Sequence, residues 1–124
     1  MASVVALVDD LMFVSRIREA ARGPGLDVWT VRRVPDLLDA CRGDARLVLM
    51  DLDSARLPVM EALTTLCADP AFSGLTVVGF FSHVHADRGR QARAAGCTQV
   101  LPRSAFVEQL PALLQAAANR PASR

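Results

Sequence analysis

Four aspartates hold the chemistry that this sequence offers. Asp9 and Asp10 close the apolar run Val4–Val8, and Asp51 closes the apolar run Leu47–Met50 in the stretch RLVLMDLD, with Asp53 two residues further on. Three carboxylates gathered within about 4–5 Å would repel by roughly 3–4 kcal/mol per pair at an effective dielectric near 20. Such a cluster persists only beside a divalent cation, beside a Lys or Arg, or with raised pKa values. An all-oxygen acidic pocket suits Mg²⁺, which takes few protein carboxylates and keeps several waters. It does not suit zinc, because His83 and His85 lie on a different loop with no accompanying thiolate. The chemistry to test is therefore cation or phosphoryl binding. The plainer alternative is a set of polar stops at strand ends, which many α/β domains have.

Position depends on the surrounding elements. A short apolar run bounded by turn signals reads as a strand buried on both faces of a parallel sheet. By that criterion Ser3–Val8, Leu26–Val31, Leu47–Leu52, Leu75–Phe81 and Cys97–Leu101 are strands, the second nearer a sheet edge because its alternation is partial. Between them the period becomes helical. Phe13, Ile17, Ala20 and Ala21 mark a first helix, stopped by Gly23-Pro24-Gly25. Val34, Leu37, Leu38 and Cys41 mark a second, started by Pro35 and ended at Gly43. A third begins at Pro58 and buries Val59, Ala62, Leu63, Leu66 and Cys67; a fourth takes Asp87 as N-cap and ends at Gly96. A last helix buries Leu110, Leu113, Leu114 and Ala117, and Pro111 implies an irregular first turn or a start near Leu110. Gly79 weakens its strand but permits close packing.

Strands alternating with helices mean a parallel sheet covered on both faces, and right-handed crossovers leave few topologies. The expectation is an α/β, flavodoxin-like (βα)5 three-layer sandwich with a parallel five-stranded sheet in the order 2-1-3-4-5. This order sets the first and third strands side by side and brings Asp9, Asp10 and Asp51 together at the carboxyl edge. One domain over residues 1–124 is expected, with a frayed tail at 119–124.

Composition narrows the function classes. Hydrophobic residues make up 52% of the 124 and charged residues 22%, as in an ordinary globular chain. The formal net charge is +1, so nothing global points to nucleic acid or an anionic membrane. A membrane span needs about 20 consecutive apolar residues, and no stretch approaches that length. The N-terminus, MASVVALVDD, lacks the basic n-region of a signal peptide. Cys41, Cys67 and Cys97 form no CxxC and read as buried thiols of a cytoplasmic protein.

The segments ALVDD (6–10), LVLMDLD (47–53), VVGFFSH (77–83), ARAAGCTQVL (92–101) and PRSAF (102–106) together resemble the receiver domains of two-component response regulators over nearly the whole chain. The resemblance implies a non-enzymatic signalling domain in a phosphorelay. It makes Asp51 the phosphoacceptor, Asp9 and Asp10 the Mg²⁺-binding acids, and Asp53 the donor of a backbone carbonyl to the metal. It also implies a sensor histidine kinase or other signalling protein as partner, and allows a homodimer through the face of the fourth helix, fifth strand and fifth helix. Acyl-phosphate formation at a carboxylate needs positioning and charge neutralisation above all.

Several positions depart from the family. Phe81 stands where a switch Thr or Ser is usual, with Ser82 beside it in the place of a small residue. Arg103 stands for the usual Lys, Ser104 for the following Pro, and Val100 for the aromatic switch residue. Pro58 falls later than the family's Met-Pro. Arg keeps the charge of Lys but differs in reach and shape. Two readings follow: a stand-alone working receiver phosphorylated at Asp51, or a pseudo-receiver that acts by protein–protein interaction, with Arg103 pairing with Asp51. A small hydrolase is a third, but the chain lacks a nucleophile elbow and a glycine-rich phosphate loop.

Trp29 and the phenylalanines are expected in the core, with Phe81 alternatively a lid over Asp51. His83 and His85 are expected to be solvated or capping loop residues near the site mouth. Arg88, Arg90 and Arg93 form a basic face that the resemblance makes a partner surface, rivalled by the arginines of the first helix between Arg16 and Arg22.

Overall fold

The structure, a computed structural model, describes residues 3–119. Its elements run β1 (Val4–Leu7), α1 (Leu11–Arg22), β2 (Val28–Thr30), α2 (Val34–Cys41), β3 (Leu47–Asp51), α3 (Val59–Ala68), β4 (Thr76–Phe81), α4 (Ala86–Ala94), β5 (Gln99–Pro102) and α5 (Arg103–Asn119). Short 3-10 turns at Pro70–Phe72 and His83–His85 precede β4 and α4. All strand pairs are parallel, and the order is β2-β1-β3-β4-β5, as expected.

Alternation along each strand divides the core into two layers. Val4, Ala6, Val8, Leu47, Leu49, Val78 and Phe80 face Ile17 and Ala21 of α1 and Phe106, Leu110 and Leu114 of α5. Val5, Leu7, Val48, Met50, Val77, Phe81 and Val100 face the layer of Leu37, Leu63, Leu66 and Ala92 from α2, α3 and α4. Strands buried on both faces explain the continuous apolar runs. Asp51 continues the series Leu47, Leu49, so its side chain belongs to the α1/α5 face.

Two glycines make room for this packing. A Cβ at Gly79 would lie 2.9 Å from the Leu52 side chain, and one at Gly89 within α4 would lie 2.9 Å from the Phe81 ring. The close packing expected at Gly79 is therefore present.

Three local expectations change. α5 starts directly after β5, at Arg103, and carries Pro111 inside it, so a start near Leu110 does not describe it. Pro111 lies on an exposed face of the helix, where it removes one ladder N–H. Asn119 is the last helical residue, and the rest of the expected tail lies outside the described residues. Asp87 falls inside the first turn of α4, because the 3-10 turn shifts the N-cap to His85, which makes no side-chain cap bond. Trp29 is 50% exposed and so lies outside the core. The reason is that β2 is a short edge strand, with a sheet neighbour on one side only.

Candidate functional site at the carboxyl edge of the sheet

Asp51 ends β3 in the middle of the sheet, between β1 and β4, with only 3% of its surface exposed. Asp51 Oδ1 accepts the backbone N–H of Asp53 at 2.9 Å, and Asp51 Oδ2 accepts Arg103 Nη2–H at 3.1 Å. Burial pushes the Asp51 carboxyl above its ordinary value. The Asp53 N–H and the Arg103 charge oppose that shift, while the charges of Asp53 and Asp9 add to it.

Arg103 is the first residue of α5, which aims its side chain back across the sheet edge. Its guanidinium carbon lies 4.6 Å from the centroid of the Phe13 ring and 5.6 Å from that of Phe80. The three rings are stacked: Phe80 and Phe106 at 4.3 Å, Phe13 and Phe80 at 5.0 Å, Phe13 and Phe106 at 6.1 Å. A planar cation seated on an aromatic face gains about 0.5–2 kcal/mol, depending on its desolvation. The stack is a rigid seat that holds Arg103 on Asp51.

Phe81 is not a lid. Register pairs Asp51 with Phe80, and alternation sends Phe81 to the opposite layer, against α4 at Gly89. Val100 is buried in that same layer. Ser82 follows the end of β4, and its Oγ lies 3.4 Å from His85 Nδ1.

The remaining acids take different parts. Asp10 is the N-cap of α1, its Oδ1 accepting the N–H groups of Met12 at 2.9 Å and Phe13 at 3.3 Å. Asp9 Oδ1 accepts Ser54 Oγ–H at 3.3 Å. Asp53 brings its carboxylate into the site. Its Oδ2 accepts the Ser82 N–H at 2.7 Å, its Oδ1 lies 3.0 Å from His85 Nδ1, and Arg103 Nε lies 3.4 Å from Oδ2. A carboxylate only accepts, so His85 Nδ1 carries the proton in that pair.

This donor set does not fit a divalent cation as arranged. Among the described residues, no group of three or more His, Cys, Asp or Glu side chains is disposed to hold a metal ion. In this arrangement Asp10 caps α1, Asp9 meets the Ser54 hydroxyl and Asp51 meets Arg103, with the Asp9 charge still felt at Asp51. A cation here would share Asp51 with Arg103 and Asp10 with the α1 cap, each of which takes one carboxylate oxygen.

The basic face is also partly consumed. Arg88 Nη1–H donates to the Leu52 carbonyl at 3.1 Å and Arg93 Nη2–H to that of Val100 at 3.4 Å. Both tie α4 to neighbouring strand ends.

Sequence reasoning had Asp51 and Arg103 in hand but missed the aromatic seat and the Asp53 carboxylate. Strand parity was the available signal for Phe80: in LVLMD and TVVGFF, the register that aligns the sheet edges puts Phe80 beside Asp51.

No protein-family model matches the sequence, and no curated protein matches it. Solved structures do match in shape. A response regulator receiver domain from Rhodospirillum rubrum superposes with TM-score 0.74 at 16% identity, covering 96% of this chain and 95% of that one. The phosphorylated cyanobacterial phytochrome response regulator RcpA gives 0.69 at 21% identity, covering 94% of this chain and 91% of that one. The Mn²⁺-bound response regulator Rcp1 gives 0.69 at 14% identity, covering 98% of each chain. The similarity is one of fold and spans nearly the whole chain: this protein has the receiver-domain fold of two-component response regulators.

Proposed function

We propose that this chain is a receiver-like signalling domain whose acceptor position is clamped, so that it works as a protein–protein interaction module without phosphorylation at Asp51. The observation that carries this reading is the Arg103 guanidinium, 3.1 Å from the Asp51 carboxylate and seated on Phe13. Transfer of a phosphoryl group to Asp51 requires its oxygen to be free for in-line attack and the developing charge to be neutralised. Here one oxygen faces a guanidinium, the other a backbone N–H, and Asp10 is engaged in capping α1. A hydroxyl at the end of β4 that could follow a new phosphoryl group is replaced by Phe81, which is packed into the other layer.

The competing reading, a working receiver with Mg²⁺ at Asp9, Asp10 and Asp51, has support in the position of Asp51 and in the phosphorylated and Mn²⁺-bound states of two structural neighbours. It requires Arg103 to leave its aromatic seat. The two readings part on one experiment: incubation with acetyl phosphate and Mg²⁺, followed by intact-mass measurement of wild type and Asp51→Asn. The clamped module shows no phosphoryl mass gain in either. A gain in wild type that Asp51→Asn abolishes would overturn it.

The partner expected is a sensor kinase or another signalling protein, which this reading has bind the resting domain. No helix among the described residues is long and apolar enough to cross a membrane.

A further inference from the structure

The Asp53 carboxylate is connected to more of the sheet edge than any role as a loop residue requires. It stands in the connection after β3, and its partners come from the two connections beyond it. The Ser82 N–H and the His85 ring follow β4, and the Arg103 guanidinium follows β5. The carboxylate is 11% exposed, so these contacts replace water. Two hydrogen-bonding groups, one of them on the backbone, and one guanidinium charge converge on a single small anion. They are the donors that the oxygens of a phosphate-class anion would take at this place, since guanidinium, imidazole N–H and free backbone N–H are the usual phosphate contacts.

We propose that the Asp53 carboxylate is a built-in anion that fills a latent phosphate-class site and pins the connections after β3, β4 and β5 in one arrangement. This deepens the clamped reading and rests on it, since Arg103 belongs to both. It accounts for a fixed conformation as well as a blocked acceptor. The loops are already drawn together by an anion that is part of the chain, so no external one is needed. Removing the carboxylate leaves the Asp53 N–H bond to Asp51 in place, because that bond is made by the backbone.

The test is titration of wild type, Asp53→Ala and Asp53→Asn with inorganic phosphate, followed by backbone and side-chain NMR. Asp53→Ala is expected to bind phosphate at least tenfold tighter than wild type, with the largest shifts at the Ser82 amide, the His85 ring and the Arg103 guanidinium. Asp53→Asn keeps the shape and one acceptor oxygen while losing the charge, and is expected to gain at least threefold. Amide exchange at Ser82 should quicken in both variants without added phosphate. If neither variant binds phosphate more tightly than wild type, or if Ser82 exchange is unchanged, the proposal is wrong. Phosphate binding involves no chemistry at Asp51, so such a failure leaves the clamped reading to be decided separately by acetyl phosphate on the wild type.

Discussion

Arg103 turns an acidic edge into a neutralised one, and the consequence is clearest in the energetics of Asp51. Burial dominates there and raises the carboxyl above its ordinary value of 3.8 in spite of the guanidinium. The folded state therefore holds this proton more tightly than the unfolded chain does. Its contribution to stability is full below the ordinary value and is lost as pH rises through the raised folded value. Ionised Asp51 is thus a net cost to the fold at neutral pH. Asp51→Asn should therefore raise the stability of the protein at neutral pH. The loss of the ion pair is tolerated because Arg103 is part-exposed and retains Asp53. Thermal denaturation of both proteins from pH 3 to 7 checks this: the gain of the variant should grow with pH and vanish at the acid end. A gain independent of pH would mean that ionisation is not its source. That an acid expensive to the fold is nonetheless present fits a site shaped by function rather than by stability.

Among the elements, α4 illustrates how a contact reverses an intrinsic preference. A glycine in the middle of a helix ordinarily costs about 1 kcal/mol relative to alanine. At Gly89 the added methyl would meet the Phe81 ring at 2.9 Å, and that ring is buried between α4 and the sheet. Overpacking of this kind costs about 1–3 kcal/mol. Gly89→Ala is therefore expected to lower stability by about 1 kcal/mol where helix propensity alone predicts a gain; urea denaturation gives the sign directly. The same contact shows why Phe81 is more than a missing hydroxyl. It is a structural wedge under α4, and the glycine opposite leaves room for its ring. The arginines of α4 add to this bracing, because Arg88 reaches the carbonyl of Leu52 just past β3 and Arg93 that of Val100 within β5.

The whole molecule is a doubly covered sheet with two apolar layers, and its thiols report on how closed that arrangement is. Burial pushes Cys41 up to about 12 and Cys97 up to about 11, the latter with its Sγ–H directed at the carbonyls of Val77 and Gln99. Thiolate is the reactive form, so both cysteines should resist aromatic disulfide reagents at pH 8 in the native state. Their labelling should instead follow global unfolding, with rates that rise in urea along the unfolding curve. Rapid labelling of Cys97 in the absence of denaturant would show that α4 and β5 open locally, and with them the braced edge that carries the clamp.

The sequence alone determined the five strands, the helices between them, their order in the sheet and the place of Asp51 at its carboxyl edge. These follow from hydrophobic period, turn residues and the handedness of crossovers, all of which act over short stretches of chain. It also put Arg103 in the right region and named its pairing with Asp51 as one of two outcomes. Tertiary structure decided between inward and outward fates that no local pattern distinguishes. Phe80 rather than Phe81 lies beside Asp51, because register and pleat set which residue faces α1 and α5. Asp10 caps α1 because the helix begins one residue after it, where unpaired N–H groups compete for the same oxygens that a cation would use. Asp53 meets Ser82, His85 and Arg103 only because three connections far apart in sequence close over one edge of the sheet. The donors that reach this acidic edge come from 29 to 52 residues away, beyond the range of any local pattern.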